Sequence, residues 1–135
     1  MPATLDRKFE KYQGGPTLPP ETRVHVSIDH RGVITMNATC YKLLGKPVSA
    51  NLYFSRADDT IAIEPMDSLR LPTVFPFRPN ATARYLNSAP FCRHYGIKLD
   101  STLRFISPEI RDGTLQLKLS DTVIIKREPR RQKKG

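Results

Sequence analysis

Apolar and polar residues alternate in short bursts along this chain, and glycine, proline and acidic turns separate the bursts. Val24, Val26 and Ile28 alternate with Arg23, His25, Ser27 and Asp29, the period of a half-buried strand. Asp29–Gly32 reads as a turn and Val33–Met36 as the second strand of a hairpin. Asn37 suits a helix N-cap, Ala38–Leu44 makes two turns of helix, and Gly45 ends it. Leu52 and Phe54 then alternate with Asn51, Tyr53 and Ser55. After a turn at Arg56–Asp59, Ile61 and Ile63 alternate with Thr60, Ala62 and Glu64, up to Pro65. The prolines of Leu71–Pro79 exclude a long central strand and favour a short edge strand or a connector packing Phe75 and Phe77. The pattern then returns. Tyr85-Leu86 leads into a helix capped by Asn87 or Ser88 and closed by Gly96. A strand at Leu103 and Phe105, a turn over Pro108–Gly113, a strand with Leu115, Leu117 and Leu119, and the run Val123–Ile125 complete it.

The two stretches match each other. With Gly45 placed on Gly96, Leu52 falls on Leu103 and Phe54 on Phe105. Asn37 falls on Asn87 if the second helix has one extra residue, and Asp59–Ile63 falls on Gly113–Leu117 after a longer turn. A unit of about 45 residues is too small to bury its own apolar face, so two units bury each other's. This predicts one mainly β body with a short helix per half and internal pseudo-two-fold symmetry. The chain divides into a leader (1–22), a first half (23–66), a Pro-rich bridge (67–79), a second half (80–126) and a basic tail (127–135). In the leader, Leu5, Phe9 and Tyr12 are spaced for one amphipathic turn that docks on the body.

Composition narrows the function. The 135 residues suit a single domain. No apolar run approaches the roughly 18 residues a membrane span needs, and Met1–Tyr12 has no apolar core of a secretory signal. A cytoplasmic protein without a membrane partner is expected. Lys and Arg number 22 against 13 Asp and Glu, a net charge of +9, and the last ten residues hold six of the bases and one acid. Such a tail does not fold alone. It reads either as an arm for a polyanion or as a solubilising tail with no partner.

Enzyme chemistry finds little support. Cys92-Arg93-His94 sets a thiol two residues from an imidazole, and such neighbours on a helix do not face each other. Cys40 and Cys92 hold similar places in the two helices and read as small core residues. The chain carries no CxxC, HExxH or phosphate-cradling glycine loop, so no catalytic residue, metal or cofactor is expected. Tyr53, Tyr85 and Tyr95 lie near basic residues, but core packing explains them better than stacking on bases.

The first half resembles the SpoVT/AbrB swapped-hairpin family. The residues that carry the likeness are Gly32–Asn37, Tyr41–Gly45, Asn51–Phe54 and Asp58–Ile63. The second half resembles it through Leu86-Asn87, Tyr95-Gly96, Leu103, Phe105 and Asp112–Leu117. The resemblance implies a duplicated swapped-hairpin barrel and a DNA-binding regulator of transcription that uses a basic barrel face and the tail. It implies either a monomer with a pseudo-dimer core or a homodimer. Candidate DNA contacts are Arg23, His25, His30 and Arg31 on the first hairpin, Lys42 and Arg93 on the helices, and Arg78 and Arg84 on the second hairpin. Lys126, Arg127, Arg130, Arg131, Lys133 and Lys134 add the tail. The sequence departs from the family pattern at Val33, where a basic residue often follows the turn glycine, and at Asn37 and Asn87, where proline precedes the helix. These departures leave a second expectation: a protein-interaction module that kept the barrel and lost base readout, with edge strands or the Pro-rich bridge taking the partner.

Overall fold

The alternating segments build two antiparallel sheets and two short helices. The structure, a computed structural model, describes residues 24–125. The docking turn expected at Leu5, Phe9 and Tyr12 lies outside the described residues, as do Arg23, Lys126, Arg127, Arg130, Arg131, Lys133 and Lys134. In chain order the elements are β1 (Val26–Ile28), β2 (Val33–Met36), α1 (Ala38–Leu43), β3 (Ser49–Ser55), β4 (Thr60–Met66), β5 (Phe75–Pro76) and β6 (Arg78–Asn80). There follow β7 (Ala83–Asn87), α2 (Ala89–Tyr95), β8 (Leu103–Phe105), β9 (Glu109–Arg111), β10 (Thr114–Lys118) and β11 (Thr122–Ile124). One sheet has six strands in the order β11-β8-β1-β2-β7-β6, and the other has five in the order β5-β3-β4-β10-β9. Each sheet mixes strands of the two halves. Among the described residues the ladders form two separate sheets rather than one closed barrel. No helix there is long and apolar enough to cross a membrane.

The alternation read from the sequence decides which face of each sheet is buried. Val26, Ile28, Ile34, Met36, Leu86 and Phe105 point inward from the six-stranded sheet, and Ile61, Ile63, Leu115 and Leu117 from the five-stranded sheet. Burial of each such side chain contributes about 1.5–3 kcal/mol. Cys40 from α1 and Phe91 and Cys92 from α2 join them. Phe54, Phe91 and Tyr95 pack edge-on or tilted at centroid distances of 5.1–6.3 Å, tying β3 to α2.

Local structure differs from the expected pattern in two places. Glu109–Arg111 is a strand, not part of a turn; the tight turn is only Asp112-Gly113. Its residues are mostly exposed, so period-two burial is too weak to mark it. The Pro-rich bridge does form the short β5, on the edge of its sheet, with Phe77 N–H donating to Val48 C=O at 3.1 Å. It then continues into β6, whose three residues are all exposed. The helices start at the expected Asn37 and Ser88, but the two side chains bond differently. The Asn37 side chain caps α1, its Oδ1 accepting from Cys40 N–H and from His25 N–H, both at 3.1 Å. At α2 the cap residue is Ser88, and its hydroxyl donates instead to Gly32 C=O at 2.7 Å.

Candidate nucleic-acid interface

Pairing across the halves divides the predicted cations into groups that the sequence does not reveal. β2 and β7 run antiparallel with Val33 opposite Asn87 and Met36 opposite Arg84. The helices that follow these strands therefore start at opposite ends of the pair. At one end, the β1–β2 turn meets α2, and His30, Arg31 and Arg93 line one shallow hollow of about 280 Å³. At the other end, α1 lies against β7, and the Arg84 guanidinium sits 4.9 Å from the Tyr41 ring centre.

These placements give two of the proposed contacts partners within the protein. Arg84 alternates onto the core side of β7, beside Met36. It is half-buried, stacks on Tyr41 and donates to Ala83 C=O at 2.9 Å, so it supports the hairpin from within. Arg31 is exposed but already carries a carboxylate: its Nε and one terminal nitrogen donate to Asp29 Oδ2 at 3.1 and 2.7 Å. Burial pulls the Asp29 carboxyl upward. The N–H of Val33 and the Arg31 side chain and N–H outweigh it and hold the group below the ordinary carboxylate range. His30 and Arg93 are exposed, as is Lys42 in the last turn of α1. His25 is half-buried at the entry to β1, where its N–H is held by Asn37.

The outward face of the six-stranded sheet carries Arg78, together with Arg104. The ladders place Val123 opposite Arg104, Arg104 opposite Ser27, Ser27 opposite Thr35, Thr35 opposite Tyr85 and Tyr85 opposite Arg78. One unbroken row thus crosses all six strands, with exposed arginines toward its two ends and hydroxyls and a phenol between them. Four strand spacings, about 19 Å, separate Arg104 from Arg78. Val33, Ala83, Asn87 and Asn80 complete the strand positions on this face, and none is acidic. Arg104 was missed as a candidate. Alternation with Leu103 and Phe105 marks it as outward-facing, but only the β1–β8 pairing brings it to this row. A shallow groove of about 230 Å³ on this face is lined by His25, Thr35, Arg104 and Ile125, among others. Ile125, at the edge of the face, precedes the basic tail in sequence. Ile124 and Ile125 share a second hollow with Asp29, His30 and Arg31, beside the β1–β2 turn.

The outward face of the five-stranded sheet is different. Its central row is Tyr53, Ala62, Gln116 and Glu109, with Glu64, Arg111 and Lys118 around it. Arg111 pairs with Glu109 at 2.8 Å. Tyr53 donates to Glu64 Oε1 at 2.8 Å, a bond to a carboxylate that favours the neutral phenol and raises its pKa. Asn51 donates to the same oxygen at 3.3 Å and accepts from Thr73, so the segment after β4 folds back onto this face.

The tyrosines correct a further expectation. Tyr95 packs in the core beside Phe54 and Phe91. Tyr53 is exposed, and Tyr85 is half-buried on the outward face, not inside. Cys40 and Cys92 are buried as expected, and burial pushes the Cys40 thiol up to about 12. Burial also raises the Cys92 thiol, against a lowering contact from the Ser88 hydroxyl, so neither sulfur is a ready nucleophile at neutral pH. Comparison of the chain with family models, with curated proteins and with solved structures finds no match.

Proposed function

We propose that this protein binds duplex DNA through the outward face of its six-stranded sheet, with the basic tail adding affinity, and that it serves as a regulator of transcription. The observation that carries this reading is the row from Arg104 to Arg78, with a cation toward each end and no carboxylate at any strand position of the face. Its span of about 19 Å exceeds the ~12 Å width of a major groove, so the two guanidinium groups reach phosphates on both walls. Hydroxyls at Ser27 and Thr35 and the Tyr85 phenol supply neutral donors between them. Two body arginines and a six-base tail make a salt-sensitive binder with little sequence dependence. The same face carries no array of side chains reaching for bases, which agrees with Val33 standing where the family has a cation.

The finer architecture belongs to the same proposal. The body is a duplicated unit resembling the SpoVT/AbrB swapped hairpin, its halves related by a pseudo-two-fold axis. Two registers support this. The sequence match equates Ala62 with Gln116, and these residues stand opposite each other where β4 meets β10. The match of Asn37 with Asn87 equates Thr35 with Tyr85, and these stand opposite each other where β2 meets β7.

The test compares the two sheets directly. In fluorescence anisotropy with a random duplex, Arg78→Glu with Arg104→Glu lowers affinity about 100-fold at low salt, whereas Arg111→Glu with Lys118→Glu changes it less than about threefold. Equal losses from the two pairs, or none from the first, would overturn the reading.

A further inference from the structure

Four edges bound the two sheets, and three of them are blunted. β6 has Pro79 at its centre, β5 is two residues long and ends in Pro76, and β9 presents the ion pair of Glu109 and Arg111. β11 has neither proline nor charge. Of nine large apolar side chains exposed among the described residues, Ile106, Val123, Ile124 and Ile125 lie on or beside this edge. Ile124 is 61% exposed. Ile106 joins the patch because its N–H donates to Asp121 C=O at 2.9 Å.

The ladder also fixes which backbone groups the edge offers. Val123 lies opposite Arg104, Ile125 N–H donates to Thr102 C=O at 2.9 Å, and Asp121 C=O accepts from Ile106. Asp121, Val123 and Ile125 therefore aim their peptide groups at β8. By alternation, Thr122 and Ile124 aim theirs at the open side. We propose that this edge pairs antiparallel with the same edge of a second copy of this chain, Ile124 facing Ile124 across a two-fold axis. That register matches outward peptide groups with outward peptide groups and sets Val123 against Ile125 of the second copy. Charge favours a second copy over an unrelated strand. The strand is preceded by Asp121 and followed in sequence by Lys126 and Arg127. Acid first and bases last is an order that complements itself when two copies run antiparallel. Two six-stranded sheets become one of twelve, and their outward faces become continuous. The contact is small, below about 1,000 Å², so the dimer is weak and reversible. This inference does not depend on DNA binding, and its test contains no DNA.

Sedimentation equilibrium of the full chain from about 10 μM to about 1 mM reads the association. The chain is expected to pass from monomer to dimer, Ile124→Lys to weaken the dimer at least about tenfold, and Leu69→Lys, equally exposed elsewhere, to leave it unchanged. Hydrogen exchange of the unaltered chain adds a reading that needs no variant. The amide of Ile124 gains protection with concentration, while that of Ile125, already bonded, does not. A monomer throughout, a dimer that survives Ile124→Lys, or a dimer without new protection at Ile124 would overturn the proposal.

Discussion

Across the six-stranded sheet the outward row runs Arg104, Ser27, Thr35, Tyr85, Arg78, and across the five-stranded sheet it runs Tyr53, Ala62, Gln116, Glu109. Beneath both lie isoleucines and leucines of the same kind, fully buried. The inward rows are interchangeable in chemistry because each has one task, to exclude water from the space between the sheets. Outward positions bear little of that load, so they are where two similar sheets diverge. One carries two arginines and no carboxylate at its strand positions. The other ties Arg111 to Glu109, holds Glu64 with Tyr53 and Asn51, and has part of its surface engaged by the segment after β4.

The largest effect is expected from the tail that follows Ile125 in sequence. A chain ending at Ile125 loses six bases and one acid. The slope of log K against log salt, measured by anisotropy, should fall by about four to five, and affinity at ~0.1 M salt by more than about 100-fold. The body should keep a weaker, still salt-dependent affinity of its own.

Next come the hairpin turns of the two sheets. Gly32 has φ +83°, and a Cβ there would lie 3.0 Å from Ala89 Cα and 3.1 Å from its nitrogen. Gly113 has φ +80° with nothing within 4 Å. Gly113→Ala should cost about 1 kcal/mol from backbone strain alone, and Gly32→Ala about 2–4 kcal/mol because the turn must also lift off α2. Thermal or urea melts check this, and equal losses would show that the close approach of turn and helix carries no energy.

Much of the fold is legible in the sequence, for reasons these residues make plain. Val26, Ile28, Ile34 and Met36 alternate because one sheet face is buried, and that period survives without any partner in view. β9 and β6 are hidden for the converse reason: at the edges, Glu109–Arg111 and Arg78–Asn80 are mostly exposed, so no period forms. The candidate interface is legible only in parts. Arg78 is visible as a cation and Arg104 as an outward-facing residue, but their common row depends on β1 meeting β8 and β7 meeting both β2 and β6. Arg84 misleads because its stacking partner, Tyr41, lies on another element far along the chain.

Smaller effects sharpen the contrast. Glu64→Gln with Glu109→Gln removes the carboxylates of the five-stranded face and should raise affinity for a random duplex by only about two- to threefold at low salt. A tenfold gain would mean that this face already lies against the phosphates. The smallest effect is spectroscopic. In Glu64→Gln the Tyr53 phenol loses the carboxylate that accepts its proton, so its titration, followed by tyrosinate absorbance, should move down toward the ordinary tyrosine value. No movement would show that the Tyr53–Glu64 bond does not persist in solution.

The central claim, that one sheet face and not the other meets DNA, is tested most directly by NMR titration of the full chain with a short random duplex. Backbone amides of Ser27, Thr35, Arg78, Tyr85 and Arg104 are predicted to shift together and saturably, while those of Tyr53, Ala62, Gln116 and Lys118 stay in place. Shifts confined to the tail, or shared equally by the two faces, would contradict it.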